Sequence, residues 1–189
     1  MTRKEQYEKR RQDIMTAALD IFIRKGYSGT KIQDIAQTVG MSVGLLFNYF
    51  ESKENLYEEL IKLGKNHPKN MLESIEGEPL EFFRSSARDI IQHVTTNPFV
   101  AKMFVFMTKA KGNEAIPESA KKLLADTDSL DLSINILIQG QQNGSIRAGN
   151  PVSLALTFWG AIQGIAEQIA LNPDFPTPDS EWIVNILRK

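Results

Sequence analysis

Apolar residues recur at three- and four-residue spacing along nearly the whole of this 189-residue chain, and no stretch sustains the alternation of a half-buried strand. That pattern restricts the chain to packed helices, so the expected fold class is all-α. Ile14, Ala17, Ala18, Ile21 and Phe22 form the first stripe, on a helix expected from about Tyr7 to Lys25 that Gly26 stops. Thr30 opens a second helix with capping-box spacing, Thr30-x-x-Gln33; its stripe is Ile32, Ile35, Ala36 and Val39, and Gly40 ends it. Ser42 is an N-cap type for a short third helix, Val43 to Tyr49, and Ser52 for a longer one from Lys53 to about Lys65.

Beyond Gly77 each proline falls where a helix begins or has just ended, which predicts five more helices over 79–95, 98–110, 117–143, 151–171 and 179–188. The expected organisation is about nine helices in two domains: three helices over residues 1–52 and a larger helical domain over 53–189. Asn143-Gly144-Ser145 matches a glycosylation sequon, but its residue types read as a turn. The uncharged run from Ala148 to Ala166 contains Asn150, Pro151, Ser153, Thr157 and Gln163, and is expected to be a buried or interface helix rather than a membrane span.

Composition narrows the setting. There is no cysteine, which excludes disulfides, thiolate metal sites and thiol nucleophiles and fits a reducing cytoplasm. The charged start, Met1-Thr2-Arg3-Lys4-Glu5-Gln6, lacks the apolar core of a signal peptide. The net charge of -1 is unevenly placed: 12 Lys and Arg face 9 Asp and Glu through Lys69, against 10 and 14 thereafter. A basic first third on an acidic remainder suggests that one end meets phosphate.

The second and third helices flank a tight Gly40-Met41-Ser42 turn, which is helix-turn-helix spacing. A helix enters the major groove of DNA only if it projects from its domain at an angle fixed by the preceding helix, so the turn must be short. At 100° per residue Leu46 and Phe50 lie about 40° apart and point into the core. Gly44, Leu45 and Asn48 then face outward, an odd set for a solvated surface but an apt one for a groove. Gly44 admits close backbone approach, Leu45 suits a thymine methyl, and Asn48 pairs a donor and an acceptor as adenine requires. Tyr49 is placed to bond a phosphate, and Thr30 and Lys53 stand at helix N-termini, which favour anions. The basic start, Arg3, Lys4, Lys9, Arg10 and Arg11, is interleaved with Glu5 and Glu8 and reads as a solvated helix extension outside the site.

These residues together resemble the DNA-binding domain of the TetR family of repressors. The resemblance runs from Ile14 to Leu56 and rests on Ala17-Ala18-Leu19-x-Ile21-Phe22, Gly26-Tyr27, Thr30, Ile35-Ala36, Gly40-Met41-Ser42-x-Gly44, Leu46-Phe47-x-Tyr49-Phe50 and Ser52-Lys53-Glu54-x-Leu56. It implies DNA contacts from Thr30, Lys31, Val43, Gly44, Phe47, Tyr49 and Lys53, a homodimer, and a C-terminal domain that binds a small-molecule effector. The family usually carries tyrosine at the position of Phe47, so a hydroxyl contact to phosphate is lost there. With the outward face and the capping serine, the candidate DNA-binding set is Thr30, Lys31, Ser42, Val43, Gly44, Leu45, Phe47, Asn48, Tyr49 and Lys53.

The last two expected helices carry more apolar surface than one stripe needs. Phe158, Ile162, Ile165, Ile169, Trp182, Ile183 and Ile186 are the candidate dimer interface, with Gly160 and Gly164 allowing close approach. A pair of recognition helices roughly 34 Å apart also requires a dimer. Phe83, Met103, Phe104, Phe106, Met107, Trp159 and Gln163 are the candidate effector pocket; plain core packing is the alternative for Met103 to Met107. His67 and His93 have no carboxylate pair at ligand spacing, so neither a metal nor another cofactor is expected. No nucleophile elbow, phosphate loop or paired carboxylates point to an enzyme. The expected partners are an operator in double-stranded DNA, a second copy of the chain and an apolar or aromatic effector. A helical adaptor presenting Leu45 to a protein is the other reading.

Overall fold

The computed structural model describes residues 1–73, 77–125 and 128–189, with the side chains of 66–73, 128 and 129 outside that description. Among the described residues ten helices make up the regular structure: α1 (Arg3–Gly29), α2 (Ile32–Thr38), α3 (Val43–Leu46), α4 (Lys53–Glu73), α5 (Pro79–Thr96), α6 (Pro98–Lys111), α7 (Glu118–Leu124), α8 (Asp128–Gln142), α9 (Pro151–Leu171) and α10 (Ser180–Val184). The all-α expectation holds there, but α3 stops at Leu46 rather than Tyr49, α10 covers Ser180–Val184 rather than 179–188, and two further local expectations change.

The span expected over 117–143 is two helices, because α7 closes at Ala125, whose N–H returns to the Lys121 carbonyl. At the other end of the chain Thr2, not Thr30, forms a capping box: its hydroxyl accepts from Glu5 N while its N–H donates to Glu5 Oε2 at 2.8 Å. Thr30 closes α1 instead. Gly26 interrupts that helix at φ +70°, and the Thr30 hydroxyl, left beside the Gly26 carbonyl, donates to it at 2.7 Å. Lys31 takes the N-cap of α2 with no side-chain bond.

The chain divides into two compact units, Met1–Gly64 with Val105–Asp126, and Lys65–Phe104 with Thr127–Lys189. In the first, Ile14, Ala18, Leu19, Ile35, Leu46, Leu56, Leu60 and Ile61 are fully buried. An aromatic cluster adjoins them: Tyr57 meets Phe22, Tyr27 and Phe106 edge-on at 4.9, 4.9 and 5.0 Å. Such pairs contribute about 0.5–1.5 kcal/mol each beyond their buried area. Burial in that cluster pushes the Tyr57 hydroxyl up to about 12.

In the second unit α5, α8, α9 and α10 enclose a core of Phe82, Phe83, Ile90, Ile91, Leu137, Phe158, Ile162 and Ile183. Arg84 of α5 bonds Glu181 of α10 at 2.8 Å across 97 positions of sequence, and the Trp159 indole N–H donates to Ser133 Oγ at 3.0 Å. His93 Nδ1 bonds the Asp89 carbonyl within α5, while the His67 side chain lies outside the described residues. The α9 helix is long and apolar enough to cross a membrane by length and composition. Its Ala155, Phe158, Ile162, Ala166 and Ile169 face is nonetheless buried in this core, as expected of a buried or interface helix.

Candidate nucleic-acid interface

The turn between α2 and α3 is made by Gly40, whose φ of +65° is strained for any residue with a Cβ. The Met41 N–H returns to the Ala36 carbonyl at 2.9 Å, tying the turn to α2. Ser42 then starts α3, its hydroxyl accepting from Leu45 N at 3.2 Å. From that start the helical phase places Leu46 at 0% and Phe50 at 1% exposure in the core. Leu45 at 46% and Phe47 at 44% stand out in solvent beside the exposed Gly44 and Asn48. A Cβ added at Gly44 would meet nothing within 4 Å, so this glycine is not demanded by the protein's own packing.

The candidate DNA-contacting residues therefore separate by exposure. Lys31, Ser42, Gly44, Leu45, Phe47 and Asn48 are exposed, and Val43 and Tyr49 are half-buried. Thr30 is a correction: at 1% exposure, with its hydroxyl spent on the Gly26 carbonyl and its N–H on the Tyr27 carbonyl, it has nothing to offer a phosphate. Lys53 is committed inside the unit as well. Its ammonium donates to the Tyr27 and Thr30 carbonyls at 2.9 and 3.0 Å and lies over the Tyr27 ring, and partial burial lowers its pKa.

Sequence reading left out the first turns of α1, yet Arg3, Gln6, Tyr7, Lys9, Arg10 and Asp13 line a cleft of about 790 Å³ together with Leu45, Asn48 and Tyr49. The Tyr7 and Tyr49 rings stack with centroids 4.8 Å apart and planes inclined by 21°. The available signal was the spacing of Arg3, Gln6, Tyr7 and Arg10 on one helix face.

The candidate pocket and interface sets are also redistributed. Phe106 and Met107 fall in the first unit, where Phe106 packs on Tyr57. Phe83, Met103, Phe104, Trp159 and Gln163 lie in the second unit, with Gln163 Nε2 donating to the Phe104 carbonyl at 3.3 Å and to Glu167 Oε1 at 2.7 Å. Of the candidate interface, Phe158, Ile162, Ile169 and Ile183 are buried within one chain and present no surface to a partner. Ile165 and Ile186 are half-buried, and Trp182 is 69% exposed. The outward stripe of α9 is instead Val152, Leu156, Gly160 and Gly164 in four-residue steps, with Leu171 seven residues on, on the opposite face.

Residues 14–60 match the family described as bacterial regulatory proteins, tetR family. The chain is 24% identical over 157 residues to the HTH-type transcriptional repressor KstR2 of Rhodococcus jostii (strain RHA1), covering 79% of this chain and 74% of that one. It is 36% identical to the HTH-type regulator YfiR of Bacillus subtilis (strain 168) over 61 residues, 32% and 30% of the two chains. Among solved structures, the TetR family transcriptional regulator PfmR from Thermus thermophilus superposes with a TM-score of 0.71 at 24% identity, over 92% of this chain and 96% of its own. AibR, solved in complex with isovaleryl coenzyme A and operator DNA, gives 0.69 at 22% identity, over 93% and 94%.

Proposed function

We propose that this chain, whose residues 14–60 match the tetR family of bacterial regulatory proteins, is a cytoplasmic, homodimeric repressor of that family, released from its operator by an apolar or aromatic small molecule. The observation that carries the reading is the division of α3 and the turn that follows it: Leu46 and Phe50 are held in the core while Gly44, Leu45, Phe47 and Asn48 stand out together. That surface is uncharged, so it reads base edges and sugar rather than supplying the general attraction to phosphate. Lys31, at the N-cap of α2, is an exposed cation of the candidate set.

Two copies are needed to place two α3 helices in successive major grooves, roughly 34 Å apart. The Val152, Leu156, Gly160, Gly164 and Leu171 stripe, together with Trp182, supports this, being apolar and lacking any partner side chain at either glycine within 4 Å. We assign the effector site to the second unit around Phe83, Met103, Phe104, Trp159 and Gln163: Phe83, Phe104 and Trp159 belong to its apolar core, and the Trp159 indole N–H and the Gln163 amide, bonded to Ser133 Oγ and the Phe104 carbonyl, are the polar groups among them. AibR, which shares the fold, is solved with both a small molecule and operator DNA, the pairing this function requires. Release needs only that the effector prefer the conformation with lower DNA affinity.

The test is capture of genomic fragments by the purified full-length protein, followed by sequencing. A shared motif with two-fold symmetry in the retained fragments is expected, and fragments retained without any common sequence would overturn the assignment as a specific reader.

A further inference from the structure

Arg3, Lys4, Lys9, Arg10 and Arg11 crowd the start of the chain, and the fold sorts them. Arg11 turns inward, its Nη2 bonding Glu59 Oε2 at 2.7 Å and its guanidinium lying 4.9 Å from the Phe50 ring. Arg3, Lys9 and Arg10 turn to the cleft that also exposes Leu45, Asn48 and Tyr49. The acidic residues that made this stretch look merely solvated do not oppose them there. Glu5 is consumed by the capping box with Thr2, and Glu8 is not part of the cleft wall. The carboxylate in that wall, Asp13, meets Arg10 at 4.0 Å with both side chains about half exposed, a pair too long and too wet to hold the guanidinium firmly.

The second observation is mechanical. A solvated helix extension has no reason to engage the recognition helix, yet Tyr7 stacks on Tyr49, the residue directly after Asn48. Because α1 is unbroken from Arg3 to Gly26, that stack sets where Arg3 and Arg10 lie, one turn to either side of Tyr7.

We infer that the first turns of α1 are a second DNA-contacting element, held to the recognition helix by the Tyr7–Tyr49 stack, with Arg3, Lys9 and Arg10 taking backbone phosphates that flank the bases α3 faces. The inference rests on the DNA-reader assignment above and adds to it the source of non-specific attraction that the uncharged face of α3 lacks. Tyr7 is a positioning residue, and the three cations make the contact.

The test is binding of the full-length protein to a fluorescein-labelled, mixed-sequence duplex of about forty base pairs, followed by anisotropy from about 50 to about 200 mM salt. Arg3→Gln with Arg10→Gln lowers the slope of log affinity against log salt by about two for each bound subunit, and weakens binding about tenfold per lost charge near 0.1 M salt. Tyr7→Ala lowers the slope while the protein stays folded, since Tyr7 is 41% exposed and outside the buried core, and Tyr7→Phe, which keeps the stack, keeps the wild-type slope. Wild-type binding with variants that retain its slope overturns this inference alone. A wild-type chain with no salt-dependent affinity for the duplex overturns the reader assignment along with it.

Discussion

The Lys53 ammonium lies 4.1 Å from the centroid of the Tyr27 ring while donating to the Tyr27 and Thr30 carbonyls, so the first residue of α4 holds the last turn of α1. Those carbonyls lie where Gly26 has interrupted the helix, and a cation is well placed at such an end. Lys53→Met keeps the stem and removes both bonds. It is expected to destabilise the fold by about 2 kcal/mol, from two charge-assisted hydrogen bonds and a cation–π contact that are partly screened. Urea unfolding with an unchanged m-value measures this. A salt slope of DNA binding lowered by a full unit, with stability unchanged, would show instead that Lys53 leaves Tyr27 for a phosphate.

Leu46 and Asn48 sit two residues apart in and just after α3, and their substitutions should separate cleanly. Leu46 is fully buried, so Leu46→Ala leaves a cavity and costs about 2.7–5 kcal/mol of stability. Asn48 is exposed, so Asn48→Ala leaves the melting temperature in place and costs about 1–3 kcal/mol of discrimination at one base position, with little change on non-specific DNA. Competition binding with operator and mixed-sequence DNA reads the Asn48 effect, and urea unfolding reads that of Leu46.

The α9 helix offers a paired test of which face meets a partner. Leu156 is 58% exposed and Phe158, two residues on, is 0% exposed. Leu156→Arg is expected to convert the proposed dimer to a monomer in sedimentation without lowering monomer stability. Phe158→Ala is expected to cost about 3–5 kcal/mol of stability through the emptied core. A Leu156→Arg protein that still sediments as a dimer would remove the α9 stripe from the interface.

Acid should loosen the first unit through Glu59. Burial alone would raise its carboxyl, but hydrogen bonds from Lys62 and Arg11 outweigh that and hold it below its ordinary value of 4.5. The folded value is the lower one, so the stabilisation is fully present above the unfolded pKa and disappears as pH falls through the folded one. Unfolding free energies of wild type and Glu59→Gln should therefore differ at neutral pH and converge as pH falls through the lowered folded pKa, below the ordinary value of 4.5.

Nearly all of the helix-turn-helix geometry was legible in the chain because it is local. Ser42 bonds Leu45, Gly40 turns the backbone within six residues of Ala36, and Leu46 and Phe50 follow from one helical phase. Thr30 was misassigned for an equally local reason: a hydroxyl at a junction has two helices to serve, and the free Gly26 carbonyl of α1 took it. The extension of α1 was misread because alternating charges look the same whether or not a ring holds them against a neighbour, and the Tyr7–Tyr49 contact spans 42 positions of sequence.

Taken alone, then, the order of residues determined the helical class, most helix limits and the outward face of α3, all consequences of interactions within about four residues. Tertiary structure decided everything that depends on a choice between faces. An apolar helix such as α9 has no inward side by periodicity; packing against α5, α8 and α10 buried Phe158 and Ile162 and left Leu156 and Gly160 outside. The same holds for Phe106, claimed by Phe22 and Tyr57, and for Arg84 with Glu181, because a contact between distant segments depends on where the chain brings them and not on the spacing within either.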